Sequence, residues 1–83
     1  MLITISGSIS RVDVIHVVGG TAIEFYVDTF HGEQEVFMVS DVLFRSKFRD
    51  KFNYYESFVG RRLAFKMHYK ANEHLELVDC YQI

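Results

Sequence analysis

Residues 2–18 read LITISGSISRVDVIHVV, and the fold turns on how this stretch is read. Ile3, Ile5 and Ile9 alternate with Thr4, Ser6, Ser8 and Ser10, the pattern of a half-buried strand. Gly7 interrupts the apolar parity. A Gly inside a strand marks a bulge, or a bend where another backbone comes close. After Arg11 the phase changes, and Val12, Val14, His16 and Val18 take up a parity of their own. A first strand of this length, bent at a Gly, can serve two sheets at once, which is how small barrels close.

Outward from it, Gly19-Gly20 signals a turn. Thr21 to Phe30 follows as a second strand, with Ile23, Phe25 and Val27 on one face and Glu24, Tyr26 and Asp28 on the other. His31-Gly32-Glu33 turns the chain into a third strand, Glu35 to Val39. Ser40 to Val59 then reads as the one helix. Phe44, Phe48, Phe52 and Tyr55 share a face at 3.6 residues per turn, Ser40 or Asp41 supplies an N-cap oxygen, and Gly60 ends it. Arg61 to Lys70 is a fourth strand with clean alternation: Leu63, Phe65, Met67 and Tyr69 inward, Arg62, Lys66, His68 and Lys70 outward around Ala64. Ala71-Asn72-Glu73 turns into a fifth strand, His74 to Gln82, with a phase slip expected near Leu77-Val78.

Eighty-three residues make one domain, and a chain so short buries only about 60% of the surface its unfolded form exposes. One cysteine, Cys80, rules out an internal disulfide and fits a reducing cytosol. With 49% apolar and 16% aromatic residues the chain is too small to hide them all. Some of that surface is expected to meet a partner, which points to self-association or ligand stacking. No apolar run reaches transmembrane length and the N-terminus lacks signal-peptide features, so the expectation is a soluble cytoplasmic protein with no membrane role. The net charge of −2 hides a division. Residues 45–70 hold eight cations against two acids, +6; residues 1–44 hold Arg11 against six acids, −5; residues 71–83 hold three acids, −3. Segregation of this kind can build a local positive field, unless acidic strands pair beside basic ones and neutralise them.

Strand, strand, strand, helix, strand, strand is the order of the OB-fold. The expected class is therefore all-β with one helix: a small five-stranded Greek-key barrel, the helix between strands three and four, as a single domain over 1–83. Ile3-Thr4-Ile5-Ser6-Gly7-Ser8-Ile9, and Val59-Gly60-Arg61-Arg62-Leu63-Ala64-Phe65 opening the fourth strand, resemble the small bacterial single-stranded-DNA-binding proteins and the related primosomal replication protein B type. The resemblance implies a DNA-binding accessory of replication or recombination, with a replication protein as a further partner. The chain departs from that family at Glu24 and Asp28, on a face the family keeps basic and aromatic.

Enzyme signatures are absent: no GxSxG, HExxH, Gly-rich phosphate loop or CxxC pair occurs, so no catalytic role is expected. His16, His31, His68 and His74 form no ligand spacing with Cys80 or an acid, so neither a metal nor another cofactor is expected. Single-strand binding needs cations that follow phosphates and rings on which bases stack. Arg62, Lys66, His68 and Lys70 make the cationic row, which runs about 25–30 Å at ~3.3 Å per residue, and Arg61 beside it is a further candidate contact. Arg45 and Arg49 on one side of the helix stripe, with Lys47 and Lys51 on the other, add to it, as does Arg11. Tyr26, Phe37 and Tyr54 are the candidate stacking rings. A slip of one residue in strand parity would instead place Tyr26 and Phe37 in the core. The function expected is non-sequence-specific single-stranded nucleic-acid binding, DNA before RNA. The alternative is a homo-oligomeric protein–protein interaction module that uses the same cations and rings as its interface.

Overall fold

The computed structural model describes residues 1–40, 58–69 and 75–83. Five strands form one antiparallel sheet: β1 Leu2–Val17, β2 Gly20–Thr29, β3 Gln34–Ser40, β4 Arg62–Tyr69 and β5 Leu75–Gln82. The expected strands all appear, each within a residue or so of its expected bounds. Of the expected helix, Ser40 instead ends β3 and Phe58 and Val59 lie in a turn; residues 41–57, with Arg45, Lys47, Arg49, Lys51 and Tyr54, lie outside the described residues, and so does Lys70. No helix among the described residues is long and apolar enough to cross a membrane.

The strand order is β3-β2-β1-β4-β5, with β1 at the centre. Its 16 residues are divided between two neighbours. Leu2 to Ser8 pair with β4, from His68 back to Arg62, and Gly7 to Val17 pair with β2, from Thr29 back to Gly20. The β2 register slips between Ile9 and Arg11, so Ser10 is the extra residue of a bulge. That insertion explains the change of phase in the sequence: Ile3, Ile5 and Ile9 face inward before it, Val12 and Val14 after it. A second slip lies opposite Lys66 and Met67, where Leu77 pairs with Met67 and Asp79 with Lys66, leaving Val78 as the extra residue. This is the slip expected near Leu77-Val78, and it brings Leu77 and Cys80 to one face. At the far end of the sheet the edge strands β3 and β5 approach each other, so the sheet curls around its inner face.

The buried part of that inner face is wholly apolar among the described residues. Phe25 is its centre. Its ring lies 5.6 Å from Phe37, 5.7 Å from Phe58 and 5.1 Å from Phe65, and Phe37 meets Phe65 at 4.9 Å. Pairs of this geometry add about 0.5–1.5 kcal/mol each beyond the area they bury. Ile9, Ile23, Val27, Val39, Leu63, Met67, Leu77 and the Cys80 thiol close around them. Tyr69, expected inside, shares the inward parity but stands exposed at the end of the sheet, where β4 runs out beyond the core. Just before β4 the chain turns at Gly60, whose φ of +87° lies in the left-handed region open to glycine. The Gly60 N–H donates to the Ile9 carbonyl at 2.8 Å and Ile9 N–H to the Arg61 carbonyl at 2.9 Å, which continues the β1 ladder past β4.

Gly7 is where the fold is tightest. It pairs with Leu63 on one side and Thr29 on the other. A Cβ placed there would stand 2.1 Å from the Asp28 carbonyl oxygen and 2.9 Å from Thr29 Cα. Both obstacles are backbone and cannot rotate away. Gly7→Ala should therefore cost at least ~2 kcal/mol, roughly 10 °C in Tm for a domain of this size. Gly19→Ala is the comparison: its methyl meets nothing within 4 Å, so only strain at φ +93° remains, about 1–2 kcal/mol. Thermal melts of the two variants check this, and a Gly7→Ala protein that melts no lower than Gly19→Ala would show that the strands do not close at Gly7.

Candidate functional site

The outer face of the sheet carries the polar and charged side chains, and the register fixes which of them meet. From β2 and the second half of β1 it presents Tyr26 beside Arg11, Glu24 beside Asp13, and Ala22 beside Ile15. From β4 and the first half of β1 it presents Arg62 beside Ser8, Ala64 beside Ser6, Lys66 beside Thr4 and His68 beside Leu2. β5 adds Tyr81 beside Ala64, Asp79 beside Lys66 and Glu76 beside His68.

Three cations on this surface lie against aromatic rings. The Arg11 guanidinium sits 5.1 Å from the centre of Tyr26, that of Arg62 5.4 Å from Phe30, and Lys66 Nζ 5.9 Å from Tyr81. At exposed positions each such pair contributes about 0.5–1 kcal/mol. The first is the most closely held. Arg11 Nε donates to Asp13 Oδ1 at 3.1 Å, and its terminal nitrogen reaches Asp13 Oδ2 at 2.9 Å. The Tyr26 hydroxyl donates to Glu24 Oε1 at 2.5 Å. Ser10, the bulge residue, donates from Oγ to the Tyr26 carbonyl at 3.3 Å and accepts from Gln34 Nε2, which also donates to Asp28 Oδ1 at 3.3 Å. Three acids of this face, Asp13, Glu24 and Asp28, are thus each engaged by a donor from a neighbouring side chain.

The cationic row of β4 differs from the expected ribbon. Arg62, Lys66 and His68 do share the outer face, but Lys66 stands opposite Asp79 and His68 opposite Glu76. The acids of β5 therefore run beside the cations of β4, and the field along the row is reduced. Asp79 Oδ1 accepts from the backbone N–H of Cys80 at 2.9 Å. Arg61 is half-buried just before the strand and donates its N–H to the Phe58 carbonyl at 3.0 Å.

Phe37 is corrected outright. Expected as an outward stacking ring, it is only 5% exposed and packs on Phe25 and Phe65. The cause is visible in VFMV, residues 36–39: all four are apolar, so alternation in the sequence cannot say which pair faces in. The pairing with β2 decides it, setting Phe37 against Phe25 and leaving Val36 and Met38 outside. Tyr26 stays on the outer face as expected. Phe30 and Tyr81, which sequence reasoning did not name, complete the ring set. The slip at Val78 was the available signal for Tyr81, because it turns that ring outward. Among the described residues no three His, Cys, Asp or Glu side chains gather closely enough to hold a metal ion. Comparison with family models, curated proteins and solved structures finds no match to this chain.

The hydrogen bond to Glu24 is also the main reason the Tyr26 hydroxyl is held above its ordinary pKa of 10.0, with desolvation and the Glu24 charge adding to it. In the fold Tyr26 keeps its proton at a pH where an unfolded tyrosine has begun to lose it. Its contribution to stability is complete below about pH 10 and is lost as pH rises through the folded value. Following the Tyr26 ring by NMR from pH 8 to 12 should show a late titration that moves earlier in Glu24→Gln. An identical midpoint in the variant would remove Glu24 as the cause.

Proposed function

We propose that this chain is a small barrel of the OB type that binds single-stranded nucleic acid across its outer face, without sequence preference. The order β3-β2-β1-β4-β5, with β3 and β5 approaching, supports a closed or partly open Greek-key barrel, with the expected helix between β3 and β4. The observation that carries the reading is the set of three cation–ring pairs, Arg11 with Tyr26, Arg62 with Phe30 and Lys66 with Tyr81. A nucleic-acid strand offers a flat base and a phosphate at every step, and each pair offers a ring beside a positive charge. Tyr26 and Tyr81 are three strands apart and offset by four residues along them, ~20 Å on a flat sheet at about 4.8 Å per strand and 3.3 Å per residue. That span suits a short run of nucleotides, within the 4–16 or so that one OB barrel covers. Phe30 and Tyr81, both exposed, supply stacking of about 1–3 kcal/mol per base. DNA rather than RNA, a role as an accessory of replication or recombination, and a replication protein as a further partner follow from the resemblance of residues 3–9 and 59–65.

The alternative, a homo-oligomer with no nucleic-acid role, is favoured by one cluster: Met1, Leu2 and Tyr69, all exposed at the same end of the sheet. The test separates the two. Fluorescence anisotropy with a 30-nucleotide oligo-dT should show binding that weakens with salt. Arg62 and Lys66 give a slope of log K on log salt of about −1.4, Arg11 being held by Asp13, and Arg62→Ala should reduce its magnitude by about 0.7. Phe30→Ala and Tyr81→Ala should each weaken binding about 5- to 150-fold with little change in Tm. No binding at 50 mM salt would overturn the proposal, and a dimer by light scattering with no affinity for oligo-dT would establish the alternative.

A further inference from the structure

The opposite end of the outer face has a different chemistry. Around the β1–β2 turn, Val17, Val18, Gly19, Gly20, Thr21, Ala22, Met38 and Val39 line an open depression of about 320 Å³. That is the size of a small ligand pocket and large enough for one aliphatic side chain. Apolar surface continues beyond it. Val17, Val18, Val36 and Met38 are exposed, Met38 at 51%, and Ile15 lies half-buried beside Ala22. Surface of this kind on a small domain marks a place where something docks.

The charge beside it selects the occupant. Glu24 lies two residues from Ala22 on the same face of β2 and directly opposite Met38. Asp13 stands opposite Glu24. The one cation in residues 1–40 is Arg11, and Asp13 already holds it. Arg11 against Asp13, Glu24, Asp28, Glu33 and Glu35 leaves this part of the chain at −4. A phosphate backbone is repelled here, whereas an apolar side chain followed by a cation is matched in both respects.

We propose that this depression docks an extended polypeptide segment of the form aliphatic-x-Lys or aliphatic-x-Arg. The aliphatic side chain enters between Val17, Ala22 and Met38. In an extended chain the residue two places on stands ~6.6 Å away on the same side, the spacing from Ala22 to Glu24 along β2. The cation therefore arrives at the Glu24 carboxylate. The sheet face then carries two surfaces: the cation–ring pairs Arg62–Phe30 and Lys66–Tyr81 on the β4 side, and an acid-flanked apolar depression toward β3, with Arg11–Tyr26 between them. This second surface does not depend on nucleic-acid binding at the first.

Three seven-residue peptides, centred on Leu-Ser-Arg, Leu-Ser-Glu and Ser-Ser-Arg, titrated into the labelled full chain and followed by NMR, test it. The Leu-Ser-Arg peptide should shift the signals of Val17, Ala22, Glu24 and Met38 in the millimolar range, at least fivefold more tightly than either control. Met38→Asp, at an exposed position, should abolish those shifts while leaving Tm within a few degrees; Glu24→Gln should remove only the preference for Arg over Glu. Equal shifts from all three peptides, or none, would overturn the proposal. Concentration-dependent self-association that Met38→Asp abolishes would assign the surface to a second copy instead. Oligo-dT shifts centred on Val17 and Met38 would assign it to nucleic acid. Either result also overturns the proposal, and neither is altered if oligo-dT fails to bind at Phe30 and Tyr81.

Discussion

Strand β1 has to be paired along both edges, and the whole sheet depends on its meeting that demand. Its first half is held by β4, its second by β2, and the two pairings overlap only at Gly7 and Ser8. At that overlap three strands run side by side while the sheet bends, and the β2 backbone comes so close that no side chain fits at Gly7. A side chain on this inward position would hold β2 away and open the curl that brings β3 toward β5. Three residues further on, Ser10 is left out of the ladder. The bulge adds local twist and reverses the parity of everything after it. Without the bulge, Val12 would face water and Arg11 and Asp13 the core side.

The arrangement of the outer face follows from that one inserted residue. It sets Arg11 opposite Tyr26, so that the guanidinium comes to lie near the ring, and Asp13 opposite Glu24. It also uses the Ser10 hydroxyl to join the Tyr26 carbonyl to Gln34 on β3. The bulge at Val78 does the same for the other half, turning Tyr81 out to Lys66 and Cys80 in to the core. Each bulge breaks an alternation in the sequence and each is followed by one member of a cation–ring pair, Arg11 beside Tyr26 and Tyr81 beside Lys66. Strand geometry and surface chemistry are therefore set by the same two residues.

The strands were legible because four of the five carry an apolar–polar alternation over at least part of their length, and Gly-containing turns separate the first three. The shift after Arg11 and the slip near Leu77-Val78 were both visible as changes of parity, since a bulge must move every later side chain to the other face. What could not be read was the facing of β3, where Val36, Phe37, Met38 and Val39 are all apolar and only the partner strand distinguishes them. Phe58 was missed as a core residue for a related reason. It lies outside any alternating run, in the turn before β4, and is buried because Gly60 and Arg61 hydrogen-bond to Ile9 and draw the turn under the sheet. Local pattern records a residue's own strand; these two positions are determined by a neighbour far along the chain.

Charge sums along the chain fail for the same reason. Residues 45–70 carry a net +6, but the potential at a sheet surface is made across strands, not along them. The cations of β4 sit between the hydroxyls of β1 and the acids of β5, so their excess is small where they stand. Arg62 is the exception: its neighbours across the sheet are Ser8 and, beyond it, Asp28, which is engaged by Gln34, and its guanidinium lies by Phe30. Recognition on such a face cannot rest on a broad positive field. On the proposed reading it rests on short-range pairs in which a ring supplies most of the attraction and a cation fixes where the phosphate lies. That favours a ligand whose flat and charged parts alternate along one chain, and it makes a compact polyanion, with charge but nothing to stack, a poor fit.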